Sequence, residues 1–398
     1  MNKCINRSKK VVGLAMLIGI TLNLALFLGV RQLVQGQARE TRSIVSPTVH
    51  FPAPKVALST TLTGTLSYTH YFYFPIVANN YAASVWTWLG PQGTDVQTIV
   101  CDPVVPGVIF IGTQVGEGVY KSTNGGNSWT VANEGLVYGK VFDLAIDPMT
   151  PTIIYAATWG GEGVQKTVNG GDSWQPPQGP LYPGIASLAI DPTNTNIVYA
   201  GSLNWEPYGG WIFKSLDGGA TWAETSPEFT NALDIVVEWQ TGNNIYAGTK
   251  LAGIKKSMDG GQSWYSANNG LVSQQVNTIA MDPSDTNVLY AGTKDGVFKS
   301  TDSATTWIAV NQGLTNLYVN ALAVNPVNTS ILYAGTRGGI FKSTNSGASW
   351  KAINQGLTNL EVQALVVDPF NPYILYAGTD EGVWRLSSLS GTLWYTGE

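Results

Sequence analysis

The fold of this chain is decided by Lys121-Ser122-Thr123-Asn124-Gly125-Gly126-Asn127-Ser128-Trp129, a box that recurs with small departures. The further copies lie at Lys166–Trp174, Lys214–Trp222, Lys256–Trp264, Lys299–Trp307 and Lys342–Trp350. The tryptophans that end the boxes are 45, 48, 42, 43 and 43 residues apart. A repeat period in the low forties is typical of propellers and solenoids.

The interior of one repeat decides between these two architectures. Between Val276 and Trp307, four short stretches of strand-forming residues are separated by turns that contain Asp, Gly and Pro. Four short strands joined in this way form one blade of a β-propeller. The repeat therefore predicts a propeller rather than a helical solenoid.

Two strands of each repeat can be counted along the chain. Seven inner strands are predicted, at Val96–Cys101, Val141–Ile146, Ile185–Ile190, Ala232–Val237, Val276–Met281, Val319–Val324 and Val362–Val367. Seven second strands follow them, marked by Phe110, Tyr155, Tyr199, Tyr246, Tyr290, Tyr333 and Tyr376. We therefore predict an all-β fold, a single seven-bladed β-propeller of four-stranded antiparallel blades.

The two ends of the repeat region bear on how the ring closes. The seventh box is degenerate, with Leu389 in the Asp position, whereas Trp88 at the other end sits like a box tryptophan. Eight candidate outer strands thus serve seven blades. The N-terminal one, near Val85–Trp88, would close the ring by completing the last blade, and closure would remove two exposed sheet edges. The sequence leaves open which terminal strand does so.

The box itself is explained by a tight turn between the third and fourth strands. Such a turn needs residues that tolerate positive φ, hence the Gly-Gly and Asp/Asn-Gly pairs. We expect the Asp or Asn side chain to cap backbone N–H groups and the tryptophan to anchor the turn between blades. Because Asn replaces Asp in several copies, we expect no metal site there. The residues given this structural role are Asn124, Trp129, Asn169, Trp174, Asp217, Trp222, Asp259, Trp264, Asp302, Trp307, Asn345 and Trp350.

The first 38 residues predict export, as a signal peptide or signal anchor. Four cations in residues 1–10 precede Val11–Val30, an apolar run of 20 residues that Arg31 ends. Small residues near Ala38 offer a cleavage site, so cleavage and retention both stay open. We expect the protein to be extracytoplasmic, either secreted or anchored at the outer face of the cytoplasmic membrane. Contact with the membrane is expected only through residues 11–30, if they are uncleaved.

Two further regions complete the expected domain organisation. Residues 39–83 are rich in Ser, Thr and Pro and predict a flexible stalk with an aromatic patch at Tyr71–Val77. Residues 84–398 form the propeller. Within it Cys101 is interpreted as a small core residue rather than a nucleophile.

Composition and charge exclude several classes of function. Without the five cations in or beside the apolar run, 16 cations face 26 acids, and no basic block supports a nucleic-acid partner. Both histidines, His50 and His70, precede the propeller, which excludes a His-dependent triad or a His-based metal site within the ring. No phosphate loop or dinucleotide fingerprint is present, so we expect no cofactor. We expect the protein to be a monomer.

The unit resembles the Asp-box repeat of bacterial neuraminidases, Ser-x-Asp-x-Gly-x-Thr-Trp, over residues 84–398. With its Asp-Pro, Tyr-Ala-Gly-Thr and Gly-Val-Phe-Lys-Ser segments, it is similar to propellers of xyloglucanases, sortilin-type receptors and photosystem II assembly factors. Ser303-Ala304 and Ser346 depart from the pattern by replacing glycines. The resemblance implies the fold and leaves the activity open, because one fold hosts many functions.

Each relative implies an activity that can be compared with this sequence. Sialidases use three arginines for the substrate carboxylate, and the propeller here has only Arg337 and Arg385. Xyloglucanases bind substrate between two propellers, whereas this chain encodes one. The arginine-rich patch of the photosystem relatives and the cysteine-rich modules of the sortilin type are not found in this sequence.

Ligands of propellers usually meet the face formed by the loops between second and third strands and between blades, opposite the box turns. On this face several loops carry an acid, and blades 2 and 3 add aromatic residues beside them, which suits stacking on sugar rings and hydrogen bonding to hydroxyls. We therefore predict a binding or scaffold module for a protein or polysaccharide, with a glycoside hydrolase that uses two loop carboxylates as the alternative. A third interpretation is that the acids only solvate loops and the aromatics pack between blades. The candidate ligand-binding residues are Glu117, Trp159, Glu162, Trp205, Glu206, Tyr208 and Glu381, with Asp295 as a further loop acid.

Overall fold

The strands of the repeat assemble into seven β-sheets that follow one another along the chain. The computed structural model describes residues 84–387 apart from 138, 161–162, 177–178, 180–183, 204–209 and 226–230. In this part of the chain no helix is found, and so none long and apolar enough to span a membrane. The predicted signal segment and stalk, residues 1–83, lie outside the described residues.

The seven antiparallel sheets are the seven predicted blades, and six of them have the four predicted strands. The sheet of blade 2 has three strands among the described residues, because no outer strand follows its third strand there. Blade 1 contains β2 (Val96–Cys101), β3 (Ile109–Thr113), β4 (Val119–Ser122) and β5 (Thr130–Val131). Blade 2 contains β6 (Val141–Ile146), β7 (Ile154–Thr158) and β8 (Val164–Thr167). Blade 3 contains β9 (Ile185–Ile190), β10 (Val198–Ser202), β11 (Ile212–Ser215) and β12 (Ala223–Glu224). Blade 4 contains β13 (Ala232–Val237), β14 (Ile245–Thr249), β15 (Ile254–Ser257) and β16 (Tyr265–Ser266). Blade 5 contains β17 (Val276–Asp282), β18 (Asp285–Thr293), β19 (Gly296–Ser300) and β20 (Ile308–Ala309). Blade 6 contains β21 (Val319–Val324), β22 (Leu332–Thr336), β23 (Gly339–Ser343) and β24 (Lys351–Ala352). Blade 7 contains β25 (Val362–Val367), β26 (Ile374–Thr379), β27 (Gly382–Ser387) and β1 (Trp86–Gly90).

The ring is closed by the N-terminal strand, because β1 pairs with β27 as the outer strand of blade 7. In this strand Trp86, not Trp88, takes the place of a box tryptophan. Trp86 is 3% exposed and its Nε1 donates to the carbonyl oxygen of Ile353 in blade 6 at 2.6 Å. Trp88 is 43% exposed, and its Nε1 donates to the carbonyl oxygen of Glu381. The degenerate seventh box, with Leu389, lies outside the described residues.

The second strands form the core between blades, since all five residues of Ile-Tyr-Ala-Gly-Thr and its variants are buried. Their glycine lets the next blade approach. A Cβ at Gly292 would lie 2.6 Å from Thr278 and 2.7 Å from Val319, which is the first residue of the next inner strand. These strands therefore fix the spacing of the blades around the channel.

The box turns are held by the side chain that begins the Asp/Asn-Gly pair. In blade 3, Asp217 Oδ1 accepts the Thr221 N–H at 2.8 Å and its Oδ2 accepts the Thr221 hydroxyl at 2.6 Å. These bonds, the Thr221 hydroxyl first, lower the pKa of Asp217 to about 2. In blade 1, Asn124 Oδ1 likewise accepts the Ser128 N–H at 2.9 Å, and its Nδ2 donates to the Ser128 hydroxyl. Amide and carboxylate thus cap the same turn.

The box tryptophans do not all bond in the same way. Trp174 Nε1 donates to the carbonyl oxygen of Ala132 in the preceding blade, and Trp307 and Trp350 make the equivalent bond. Trp222 Nε1 instead donates within its own turn, and the buried Trp264 Nε1 has no partner. The common feature is the packing of the ring, and the hydrogen bond is an addition in some blades.

A second set of contacts joins the blades at each box. The Lys166 ammonium lies 5.3 Å from the Tyr155 ring centroid, and Nζ and the Tyr155 hydroxyl both donate to the carbonyl oxygen of Gly218 in the next blade. Arg385 Nη1 donates to the carbonyl oxygen of Gly125, which carries the series across the closure between blades 7 and 1. The other lysine-to-carbonyl bonds are Lys121 to Gly170, Lys214 to Gly260, Lys256 to Ser303 and Lys299 to Ser346.

Candidate ligand-binding face

The face opposite the box turns is built from the loops that join second to third strands and one blade to the next. We call it the loop face, and the side of the box turns the box face. Around the channel mouth, the residue before each inner strand pairs with the residue after each second strand. In blade 2, for example, the Trp159 N–H donates to the carbonyl oxygen of Lys140 at 3.1 Å.

These paired positions repeat around the ring, and we call them the channel rim. In blade order they are Asp95 and Gln114, Lys140 and Trp159, Gly184 and Leu203, Asn231 and Lys250, Gln275 and Lys294, Tyr318 and Arg337, and Glu361 and Asp380. The backbone bond seen in blade 2 recurs in blades 1, 3, 4, 5 and 6. Because a regular backbone holds them, the rim side chains are displayed in a fixed order.

Of the predicted ligand-binding residues, Trp159 belongs to this rim. Its ring lies against Gly184 and is half-buried. It also contacts Phe142, at 5.5 Å between ring centroids and 48° between the planes. Phe142 is the second residue of β6 and is also half-buried, so the two rings form an aromatic pair at the channel mouth. Phe142 was not among the predicted site residues, although it is the one aromatic residue of the predicted inner strands.

Four other predicted residues lie outside the described residues and stay predictions. These are Glu162, Trp205, Glu206 and Tyr208.

Glu117 lies in the loop of blade 1 with its side chain directed into the protein. Its Oε2 is buried without a hydrogen-bond partner, and its backbone oxygen accepts from Asn133 Nδ2 at 2.7 Å. Burial, and then the Glu117 carboxylate, raise the pKa of the neighbouring Tyr120. The Thr94 hydroxyl, also buried without a partner, is close to the same tyrosine and lowers its pKa. Only this oxygen is enclosed, because Glu117 as a whole is half-buried, and a ligand-binding role of Glu117 stays a prediction.

The remaining predicted acids are exposed and lie on separate blades. Glu381, in the loop of blade 7, accepts the Thr358 hydroxyl at 3.1 Å through Oε2. Asp295, in the loop of blade 5, donates its N–H to the Thr293 hydroxyl. Both carboxylates face solvent one residue beyond the channel rim.

Three other acids gather on the rim where blades 7 and 1 meet. Burial first raises the pKa of Asp95, and the charges of Asp380 and Glu361 raise it further. Glu361 Oε1 lies 3.5 Å from Arg337 Nε, and the Arg337 guanidinium stacks 3.7 Å above the Tyr318 ring. These three acids were not predicted as a group because they come from three different loops.

Two carboxylates inside the channel wall were also missed. Asp143, the third residue of β6, accepts the Thr98 hydroxyl of blade 1 at 3.2 Å and the Leu188 N–H of blade 3 at 2.8 Å. Asp234, at the same position of β13, accepts the Ile279 N–H of blade 5 at 2.6 Å. Burial raises the pKa of Asp143 to about 7 and that of Asp234 to about 6. The signal in the sequence was an acid at a strand position that other blades fill with Thr, Ser or Ala.

Metal and thiol chemistry find little support in the described part of the propeller. No group of three or more His, Cys, Asp or Glu side chains there could hold a metal ion. Cys101 is half-buried, and burial raises the pKa of its thiol to about 12. Because the thiolate is the reactive form, this cysteine is a poor nucleophile at neutral pH.

Comparison with known proteins shows the fold and not the activity. No family model matches the chain, and no curated protein matches it. The GH74 xyloglucanase from Xanthomonas campestris has a TM-score of 0.64 at 19% identity, over 78% of this chain and 55% of that chain. The extracellular domain of the putative hybrid two-component system BT4673 from B. thetaiotaomicron has a TM-score of 0.61 at 19% identity, over 78% and 40%.

A third similar structure is YCF48 bound to D1 peptide, with a TM-score of 0.59 at 15% identity, over 78% of this chain and 98% of that chain. The chain spans about half the length of the GH74 enzymes it matches. The seven-bladed propeller is thus shared with GH74 enzymes and YCF48.

Proposed function

We propose that this chain is an extracytoplasmic binding module that receives a protein or polysaccharide at the loop-face mouth of its channel. The observation that carries the proposal is the half-buried pair of Phe142 and Trp159. The tyrosines of the second strands are buried between blades, whereas the Phe142 and Trp159 rings keep solvent-accessible surface at the channel mouth. Aromatic side chains placed in this way supply apolar contact area at low entropic cost.

The neighbours of the fold support a partner of either class. One solved relative is a xyloglucanase, and another was solved with a bound peptide. An extracytoplasmic location agrees with the predicted export segment and with the extracellular BT4673 domain. We keep the signal cleavage, the anchor and the stalk as expectations within this proposal.

Glycoside hydrolysis remains the second candidate, favoured by the likeness to GH74 enzymes. It requires two accessible carboxyl groups about 5–9.5 Å apart. Glu117 does not meet this need because its Oε2 is buried, and Asp143 is engaged in hydrogen bonds to two neighbouring blades. The other predicted acids that the structure describes, Glu381 and Asp295, lie on separate blades, so we place binding ahead of catalysis.

The first prediction concerns Trp159. The purified full-length protein is screened on a glycan array and a peptide array, and the tightest probes are titrated against Trp159→Ala. We expect affinity to fall by about tenfold or more, because a buried aromatic contact contributes over 1 kcal/mol to binding. Trp159→Phe should restore part of the affinity.

The matched control is Trp239→Ala. Trp239 is 41% exposed and lies in the turn between β13 and β14, on the box face. We expect this variant to bind as the parent does. Binding that is unaffected in Trp159→Ala but reduced in Trp239→Ala would move the site to the box face and refute the proposal.

A further inference from the structure

The channel rim sorts its charges by sector. Lys250, Lys294 and Arg337 occupy equivalent positions on the consecutive blades 4, 5 and 6, and we call them the basic arc. On blades 7 and 1 the rim carries Glu361, Asp380 and Asp95, which we call the acidic arc. All of these side chains are exposed except Asp95, which is half-buried.

The proximity of the acids is visible in their mutual effect. Burial and then the charges of Asp380 and Glu361 raise the pKa of Asp95, so the three carboxylates lie close enough to interact. Arg337 reaches Glu361 from the basic arc at 3.5 Å and is held by stacking on Tyr318. The two arcs therefore meet in one ion pair at blades 6 and 7, beyond which Lys250 and Lys294 lie on one side and Asp380 and Asp95 on the other.

The remaining sector of the rim is aromatic and apolar. Blades 2 and 3 contribute Trp159, Gly184 and Leu203, with Phe142 just inside the channel and Lys140 as the charged member. One residue outside the rim, Asp295 follows Lys294 and Glu381 follows Asp380. The mouth thus combines an aromatic anchor with two arcs of opposite charge.

We infer that the channel rim docks a protein whose contacting surface carries separated positive and negative groups. This inference rests on the proposed binding function and names the class of its partner. A neutral polysaccharide could hydrogen-bond to both arcs but has no charges that distinguish them, and a uniformly anionic one would be repelled by the acidic arc. A protein surface supplies both signs, and such complementarity sets orientation and association rate, while the aromatic pair contributes affinity.

The test uses labelled synthetic peptides and the full-length protein. One peptide has a lysine block, a flexible Gly/Ser spacer with a central tryptophan, and a glutamate block. A second has the same composition with Lys and Glu alternating, and the spacer length is varied. We expect the segregated peptide to bind about tenfold more tightly at low salt, with the difference lost at high salt because ions screen exposed charges.

Two sets of charge reversals locate the effect. Lys250→Glu with Lys294→Glu should weaken the segregated peptide by about tenfold, as should Glu361→Lys with Asp380→Lys. Combining all four changes should restore binding, because the peptide can dock in the opposite direction on an inverted rim. The control is Lys351→Glu with Asp285→Lys, two exposed residues away from the rim, which should bind as the parent does. Thermal melting checks that each variant is folded.

The outcomes separate this inference from the function on which it rests. Equal binding of segregated and alternating peptides, or indifference to both pairs of reversals, overturns the charge-matched protein partner. Polygalacturonate binding that depends on Lys250 and Lys294 alone also overturns it, in favour of an anionic polymer. If the charge reversals act on peptide binding but Trp159→Ala does not, the inference stands and the aromatic site falls.

Discussion

Asp143 shows how one side chain can join three blades. Its carboxylate is on blade 2 and accepts hydrogen bonds from Thr98 on blade 1 and the Leu188 N–H on blade 3. Enclosure in the channel wall, together with the nearby Asp234 charge, favours the protonated form. The hydrogen bonds of Asp143 connect three blades, and ionisation of its buried carboxyl group destabilises the folded state.

The next prediction follows from the direction of this shift. The pKa of Asp143 is raised from 3.8 to about 7 in the folded protein. The folded state therefore holds a proton that the unfolded state releases. The stability that this proton contributes is complete at pH values below the pKa of the unfolded state, and it is lost as pH rises through the pKa of the folded state. We expect the melting temperature to fall between about pH 4 and pH 7 partly through this residue, and Asp143→Asn to flatten that slope.

The control for this prediction is Asp217→Asn. The pKa of Asp217 is lowered to about 2, so its contribution is lost only in stronger acid, as pH falls through that value. The variant should leave the slope near neutral pH unchanged. If the melting temperature of Asp143→Asn depends on pH in the same way as that of the parent protein, the account of the channel carboxylates is contradicted.

At the scale of elements, β1 shows that a terminal strand can serve as an ordinary blade strand. Trp86 repeats the geometry of Trp350, since its N–H donates to the carbonyl oxygen of Gln355 as that of Trp350 donates to Gln312. β1 also brings the first and last of the described strands into one sheet.

The prediction at this scale compares two neighbouring tryptophans. Trp86→Ala should destabilise the protein by about 3–5 kcal/mol, because it removes a fully packed ring at the closure of the propeller. Trp88→Ala should cost less than about 1 kcal/mol, since this side chain is 43% exposed. Chemical denaturation measures both, and equal losses would contradict the assignment of Trp86.

The strands themselves were largely predictable from the sequence. Six of the seven predicted inner strands have the bounds found in the structure, and the remaining one, Val276–Met281, is extended by Asp282. Their alternation and the Asp-Pro turns after them are local signals. The choice between Trp86 and Trp88 was not predictable, because the two lie on the same side of a strand and only register decides which ring the preceding blade covers.

The whole molecule explains why the site was harder to predict than the fold. The predicted acids were chosen by their loops, and Glu117 proved to have its carboxylate oxygen buried. The acidic arc joins Asp95 to Glu361 and Asp380 across the closure of the ring, so its members are distant in the sequence. Residues of different blades come together only when the ring closes. The fold of one blade, by contrast, is indicated by the sequence of a single repeat.

The two faces of the propeller differ in what their side chains do. Box-turn side chains cap their turns and join neighbouring blades, while the loop face displays an aromatic pair and sorted charges. Binding is thus expected on the loop face alone. The box face has exposed apolar residues too, such as Phe370 and Tyr373, and so provides a fair comparison.

The most direct measurement is hydrogen–deuterium exchange of the full-length protein with and without the tightest probe from the arrays. We predict slower exchange in peptides that contain Lys140, Phe142 and Trp159, with the box turns, such as Asp217–Trp222, unchanged. Protection confined to the box turns, with no change at the channel rim, would contradict the assignment of the loop face as the binding site.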